Sequence, residues 1–221
     1  MNTRLRLFVV FIGALVVAAT FTFNVWFPLI LNQEDVILFP ELPEDLYAAF
    51  ENLPQERQDA YLELRGQNTA LAARMAAAAL NAPRIVPDDQ QANPSLSGQV
   101  AVQTSEFVPI SVNRSVTGKI TLYELPDGSR YLWFEEFVAM PGQELRLFLS
   151  SVDADALLEL AGDEDGPKEY KLTPDDFVLD PLAYDVGNQA YQIPSDADLS
   201  LYNSVIIYAR GFDLLWAYAE F

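Results

Sequence analysis

Residues 202–219, YNSVIIYARGFDLLWAYA, decide the fold class. Val205, Ile207 and Ala209 alternate with Ile206 and Tyr208. After Gly211, the residues Phe212, Leu214, Trp216 and Tyr218 face away from Leu215, Ala217 and Ala219. A repeat of two marks strands, and the glycine between the runs marks a turn. The same period recurs upstream. Leu145, Leu147 and Leu149 alternate with Arg146 and Phe148, Leu132 and Phe134 with Tyr131 and Trp133, and Ile120 and Leu122 with Thr121 and Tyr123. Pro126-Asp127-Gly128, Pro141-Gly142 and Gly187-Asn188 separate these runs as turns. Roughly six to eight short strands at this spacing predict a mainly β domain, an antiparallel sandwich or barrel, over residues 98–221.

The chain ahead of that domain changes period twice. Residues 83–97 include Pro87-Asp88-Asp89-Gln90-Gln91 and read as a flexible Pro/Asp/Gln-rich linker. Residues 33–82 read as a helical stalk. Pro43-Glu44-Asp45 opens a first helix, Asn52-Leu53-Pro54-Gln55 a second, and Thr69 caps a further piece. Its thin apolar stripe of Tyr61, Leu64, Leu71 and Met75 needs a partner: its own globular domain, another helix or a second copy. The bland expectation is a spacer holding the domain off a bilayer. Residues 1–32 carry Arg4 and Arg6 ahead of an uncharged run from Leu7 through Leu31, long enough to cross a hydrocarbon core. They predict a single-pass signal-anchor with the amino end cytoplasmic and the rest outside the membrane. The alternative is a signal peptide cleaved near Val17-Ala18-Ala19, which secretes the remainder.

Composition removes most chemistry. With 32 acidic against 13 basic residues the formal charge is −19, which repels nucleic acid and anionic headgroups. The chain has no Cys and no His. It therefore has no thiolate nucleophile, imidazole base or Cys/His-ligated metal, and no cofactor is expected.

Three stretches of the β region carry a resemblance. They are Gly118-Lys-Ile-Thr-Leu-Tyr, Tyr131-Leu-Trp-Phe134-Glu135-Glu-Phe137 and Gly142-Gln-Glu-Leu145-Arg-Leu-Phe-Leu-Ser150. Gly187-Asn188-Gln189-Ala-Tyr191-Gln-Ile-Pro194 follows, then Tyr202-Asn-Ser-Val205 and the closing segment from Phe212. In order and spacing these resemble the DM-thirteen domain over residues 98–221. The resemblance implies a β-rich extracellular module and electron transfer through a cysteine on the penultimate strand. Ala209 occupies that cysteine's place. Alanine fits a slot that suits a small apolar thiol, so the fold is expected to survive while thiol chemistry is not.

Other candidates are weaker. Residues 151–174 look like an inserted acidic hairpin turning at Gly162 and Gly166. Within it Asp153, Asp155, Asp163, Glu164 and Asp165 are a weak candidate site for a hard cation such as calcium. Glu135 and Glu136 are adjacent in a strand and point to opposite faces, so they cannot form a glycosidase pair. Tyr131, Trp133 and Phe148 either line an outward groove or form a second face covered by a loop or helix. Asn113-Arg114-Ser115 fits a glycosylation sequon. The expectation is a membrane-anchored, non-catalytic binding or scaffold module with an extracytoplasmic protein or small-molecule partner. Alternatives are an accessory component of an electron-transfer system and a calcium-stabilised adhesion domain.

Overall fold

The computed structural model describes residues 39–94, 96–162 and 166–220. The expected membrane anchor, residues 1–32, lies outside them. Among the described residues no helix is long and apolar enough to cross a membrane.

Three helices open the described chain: α1 (Tyr47–Glu51), α2 (Gln55–Gln67) and α3 (Thr69–Ala79). Pro54 precedes α2, where its missing N–H costs nothing. Asn52 closes α1 instead of capping α2, its Nδ2 donating to the Ala48 carbonyl at 2.7 Å. The break before α3 is capped by Asn68, whose Oδ1 accepts the Leu71 amide at 3.0 Å; Thr69, the expected cap, is the first helical residue. The apolar stripe does not stand off as a spacer. Phe50, Tyr61, Leu64, Ala72 and Met75 are buried in the same core as the sheets, and residues from Phe39 onward form one compact unit. A fully buried side chain of this size is worth about 1.5–3 kcal/mol over its exposed state, which is what holds an alanine-rich helix in place.

Among the described residues nine strands follow. The first sheet contains β1 (Val100–Glu106), β3 (Val116–Glu124), β4 (Arg130–Ala139) and β7 (Gln189–Ile193), in the order β1-β3-β4-β7. The second contains β2 (Val108–Pro109), β5 (Leu145–Ser150), β6 (Phe177–Pro181), β8 (Ser204–Ala209) and β9 (Leu214–Glu220), in the order β2-β9-β8-β5-β6. All pairings between the named strands are antiparallel. The two sheets make a sandwich; no closed barrel forms among the described residues. Leu132 and Phe134 of the first sheet share the principal core with Leu147, Val205 and Ile207 of the second. On the second sheet's other face Phe148, Ile206 and Tyr208 form a smaller core with Tyr170 and Leu157.

Two bulges shift the alternation read from sequence. In β4, Lys119 pairs with Glu135 and Thr117 with Val138, so Gly118 faces two residues, Glu136 and Phe137. Glu136 takes a left-handed φ of 50°, and the extra residue brings Phe137 onto the same core as Phe134. In β9, Ile207 pairs with Ala217 and Tyr208 with Leu215, leaving Trp216 as the extra residue. Trp216 and Ala217 both join the principal core, whereas Tyr218 crosses to the second core, opposite its expected face.

Two further expectations are corrected. The acidic insertion is not a hairpin: Ala154–Ala161 is a helix, α4, whose Leu157 and Ala161, one turn apart, cover the second sheet. Nor is the Pro/Asp/Gln-rich segment a loose tether. Ile85 bridges Val186 in parallel, the Val86 amide donates to the Val186 carbonyl at 2.9 Å, and Val86 is buried.

Candidate functional site

Ala209 ends β8 between Leu145 of β5 and Leu214 of β9. Its exposure is 0%, and it belongs to the principal core. A small apolar group fills this place, and a thiol in the same place would be shut away from solvent. Val205 lies on the same face two pairs along. At the following turn Phe212 stacks on Trp216 at 6.0 Å between centroids, with the Arg74 guanidinium 5.2 Å above its ring. Gly142 sits where a Cβ would meet Leu145 at 2.7 Å and Trp216 at 3.1 Å.

The Gly187–Tyr191 segment holds loops together. Tyr191 donates to Gln189 Oε1 at 2.8 Å and accepts the Ala183 amide at 2.9 Å. Gln189 also accepts the Tyr184 amide and returns a bond to the Tyr184 carbonyl at 3.0 Å. Burial pushes the Tyr191 phenol well above the usual tyrosine range. Asn188 Oδ1 accepts the Glu136 amide at 2.8 Å, and its Nδ2 donates to the Gln91 carbonyl at 3.0 Å. Gly187, at φ 111°, packs against Val86 so closely that a Cβ would lie 2.8 Å from the Val86 Cβ. These side chains are engaged by the protein itself.

Other motif residues are core or turn. Phe134 and Phe137 form an aromatic cluster with Phe107 and Tyr191 at centroid distances of 5.0 to 5.3 Å. The Pro194 carbonyl accepts the Ala197 amide at 3.1 Å, and Tyr202 meets Phe177 edge-on at 6.3 Å. Glu135 is half-buried and Glu136 exposed on its bulge. Tyr131 and Trp133 are buried, and the Tyr131 hydroxyl reaches Gln99 at 2.6 Å and Asn93 at 3.2 Å in the preceding segment. Phe148 packs in the second core beneath α4. None of the three lines an open groove.

Of the acidic candidates, Asp153 and Asp155 lie among the described residues. Asp153 precedes α4 and accepts from Asn203 Nδ2 at 2.9 Å, while Asp155 lies in the first turn of α4. Asp163, Glu164 and Asp165 lie outside the described residues. Among the described residues no group of three or more His, Cys, Asp or Glu side chains could hold a metal. Asn113 of the sequon is buried, which closes it to glycosylation in the folded chain.

Sequence reasoning missed two features. Asp185, its side chain 3% exposed, binds Arg84 through both oxygens, at 2.6 Å to Nη2 and 3.0 Å to Nε, and also takes the Arg84 backbone amide at 2.8 Å. The hydrogen bond to Asp185 raises the Arg84 pKa above its ordinary value, burial opposing it in part. The second feature is a contact of oxidisable groups. Tyr61 donates to Met140 Sδ at 3.4 Å, and Trp216 Nε1 donates to the Met140 carbonyl at 3.0 Å. Each feature joins residues far apart in the chain, and neither leaves a local pattern.

The family model described as Electron transfer DM13 matches residues 106–221. No curated protein and no solved structure matches the chain.

Proposed function

The chain belongs to the DM13 electron-transfer family, and from that premise we propose a member without thiol chemistry, a non-catalytic binding or scaffold module tethered outside a membrane. The observation that carries this reading is Ala209, fully buried at the end of the penultimate strand in a chain with no Cys and no His. The residues matching the family motif support it, because Gly187, Asn188, Gln189 and Tyr191 are engaged in holding loops rather than turned to solvent. The uncharged run from Leu7 through Leu31, behind Arg4 and Arg6, supports the tether and its orientation.

A second reading, an accessory component of an extracytoplasmic electron-transfer system, is favoured by the family description and by the Tyr61–Met140–Trp216 contact. The local chemistry weighs against a tyrosyl radical there. Burial pushes the Tyr61 phenol far above its ordinary pKa, and its hydrogen-bond acceptor is a thioether, too weak a base to take the proton that oxidation releases. Proximity labelling from the full chain in its native membrane separates the two. Neighbours drawn from envelope-assembly and polymer-synthesis proteins support the binding module; neighbours confined to redox enzymes support the accessory role.

A further inference from the structure

A recess of about 260 Å³ opens beside the end of α3. Its polar lining is Arg57, Asn81, Ser115 and Thr117, and no carboxylate lines it. In a chain with 32 acidic and 13 basic residues this is a local reversal of sign. Among the described residues none of these four side chains has a hydrogen-bond or ion-pair partner. Arg57 Nε is closed off from solvent without an acceptor, so the guanidinium is partly desolvated. A cation in lower dielectric pulls harder on an anion than one in bulk water.

The remaining wall is apolar and includes Pro83, Val138, Pro141 and Val186. Val138 is a strand residue left 48% exposed. An adjoining cleft shares Asn81 and Pro141 with this recess and adds Arg74, which meets the Gln143 side chain, the Gly211 carbonyl and the Phe212 ring, and Arg84, whose charge is met by Asp185. A cation with unused neutral donors facing an apolar wall matches a ligand with one anionic end and one apolar end. The volume lies below the range of roughly 300–1,000 Å³ that takes drug-sized molecules, so the ligand is small.

We propose that this recess binds a small organic carboxylate, its charge taken by Arg57 with the Ser115 and Thr117 hydroxyls and its apolar body lying on Val138 and Val186. The site deepens the binding-module reading and rests on it. The test uses the purified full chain in a nonionic detergent, with 4-fluorobenzoate as probe and fluorine NMR as readout. Saturable binding is expected with Kd on the order of 1 mM, as befits so small a ligand. Loss of a charge-assisted bond in Arg57→Gln should weaken it roughly tenfold or more, and Val138→Asp should abolish it. Neutral 4-fluorobenzamide should not compete. Unsaturable binding, equal binding by the amide, or an unchanged Kd in a folded Arg57→Gln variant would overturn the site. None of those results alters the proximity-labelling outcome, so this proposal fails separately from the wider reading.

Discussion

Asn188 bridges two strangers in sequence: its Oδ1 accepts the amide of Glu136 at 2.8 Å while its Nδ2 holds the Gln91 carbonyl at 3.0 Å. One side chain thus supports the left-handed bulge of β4 and secures the segment that precedes β1. Asn188→Ala removes both bonds. Because Glu136 is exposed, water replaces part of the loss, and the expected cost is about 1–2 kcal/mol in urea unfolding.

Gly118 faces that bulge at φ 123°, and a Cβ there would lie 2.8 Å from both the Glu135 carbonyl oxygen and the Phe137 Cα. Those are backbone atoms and cannot turn aside. Gly118→Ala should therefore cost roughly 2 kcal/mol or more, through strain and loss of the bulge's register. Circular-dichroism melts of the variant beside the wild type check this.

Asp185 and Arg84 form the second clamp on the segment before β1. Removing the buried carboxylate in Asp185→Ala leaves the Arg84 amide without its acceptor, and we expect a loss of about 2–4 kcal/mol. Limited proteolysis should then cut first within residues 84–97. Cleavage unchanged in rate and position would show that this segment is ordered by something other than the clamp.

Much of this was legible in the sequence. The alternation in 120–123, 131–134, 145–149 and 205–209 placed strands and core faces where the sheets have them. Period two cannot reveal an extra residue, so the bulges at Glu136 and Trp216 stayed hidden, and with them the side on which Tyr218 lies. The 83–97 segment has the composition of a linker. Its order comes from Asp185, Val186 and Asn188, roughly a hundred residues away, which local composition does not report. Residues 154–161 are good helix formers, but the acidic residues and glycines around them read as a solvated turn. The Arg57 recess draws on α2, β3, β4 and the segments around them, so no single stretch announces it.

Alkaline pH should unfold the protein steeply. Burial pushes the Tyr61 and Tyr191 phenols well above their ordinary value near 10. A raised acid pKa means that the unfolded chain loses its protons first. Stability from these groups is full below about pH 10 and is lost as pH rises from there toward the folded values, by roughly 1.4 kcal/mol per pH unit for each tyrosine. Urea midpoints measured from pH 8 to 11 test the slope, and Tyr61→Phe should remove one proton's share of it.

At Ala209 a cysteine should be tolerated and silent. Ala209→Cys adds one sulfur to a buried slot and should change stability by no more than about 1 kcal/mol. Its thiol should react with iodoacetamide only at the rate of unfolding. Rapid alkylation in the folded state would place position 209 at an accessible site.

The central claim is that this DM13 chain works without a redox group of its own. Direct electrochemistry of the full chain purified from its native source tests that most simply. Across the roughly −700 to +450 mV covered by iron–sulfur clusters, we predict no reversible couple. A reversible wave that copurifies with the chain at constant stoichiometry would contradict the account.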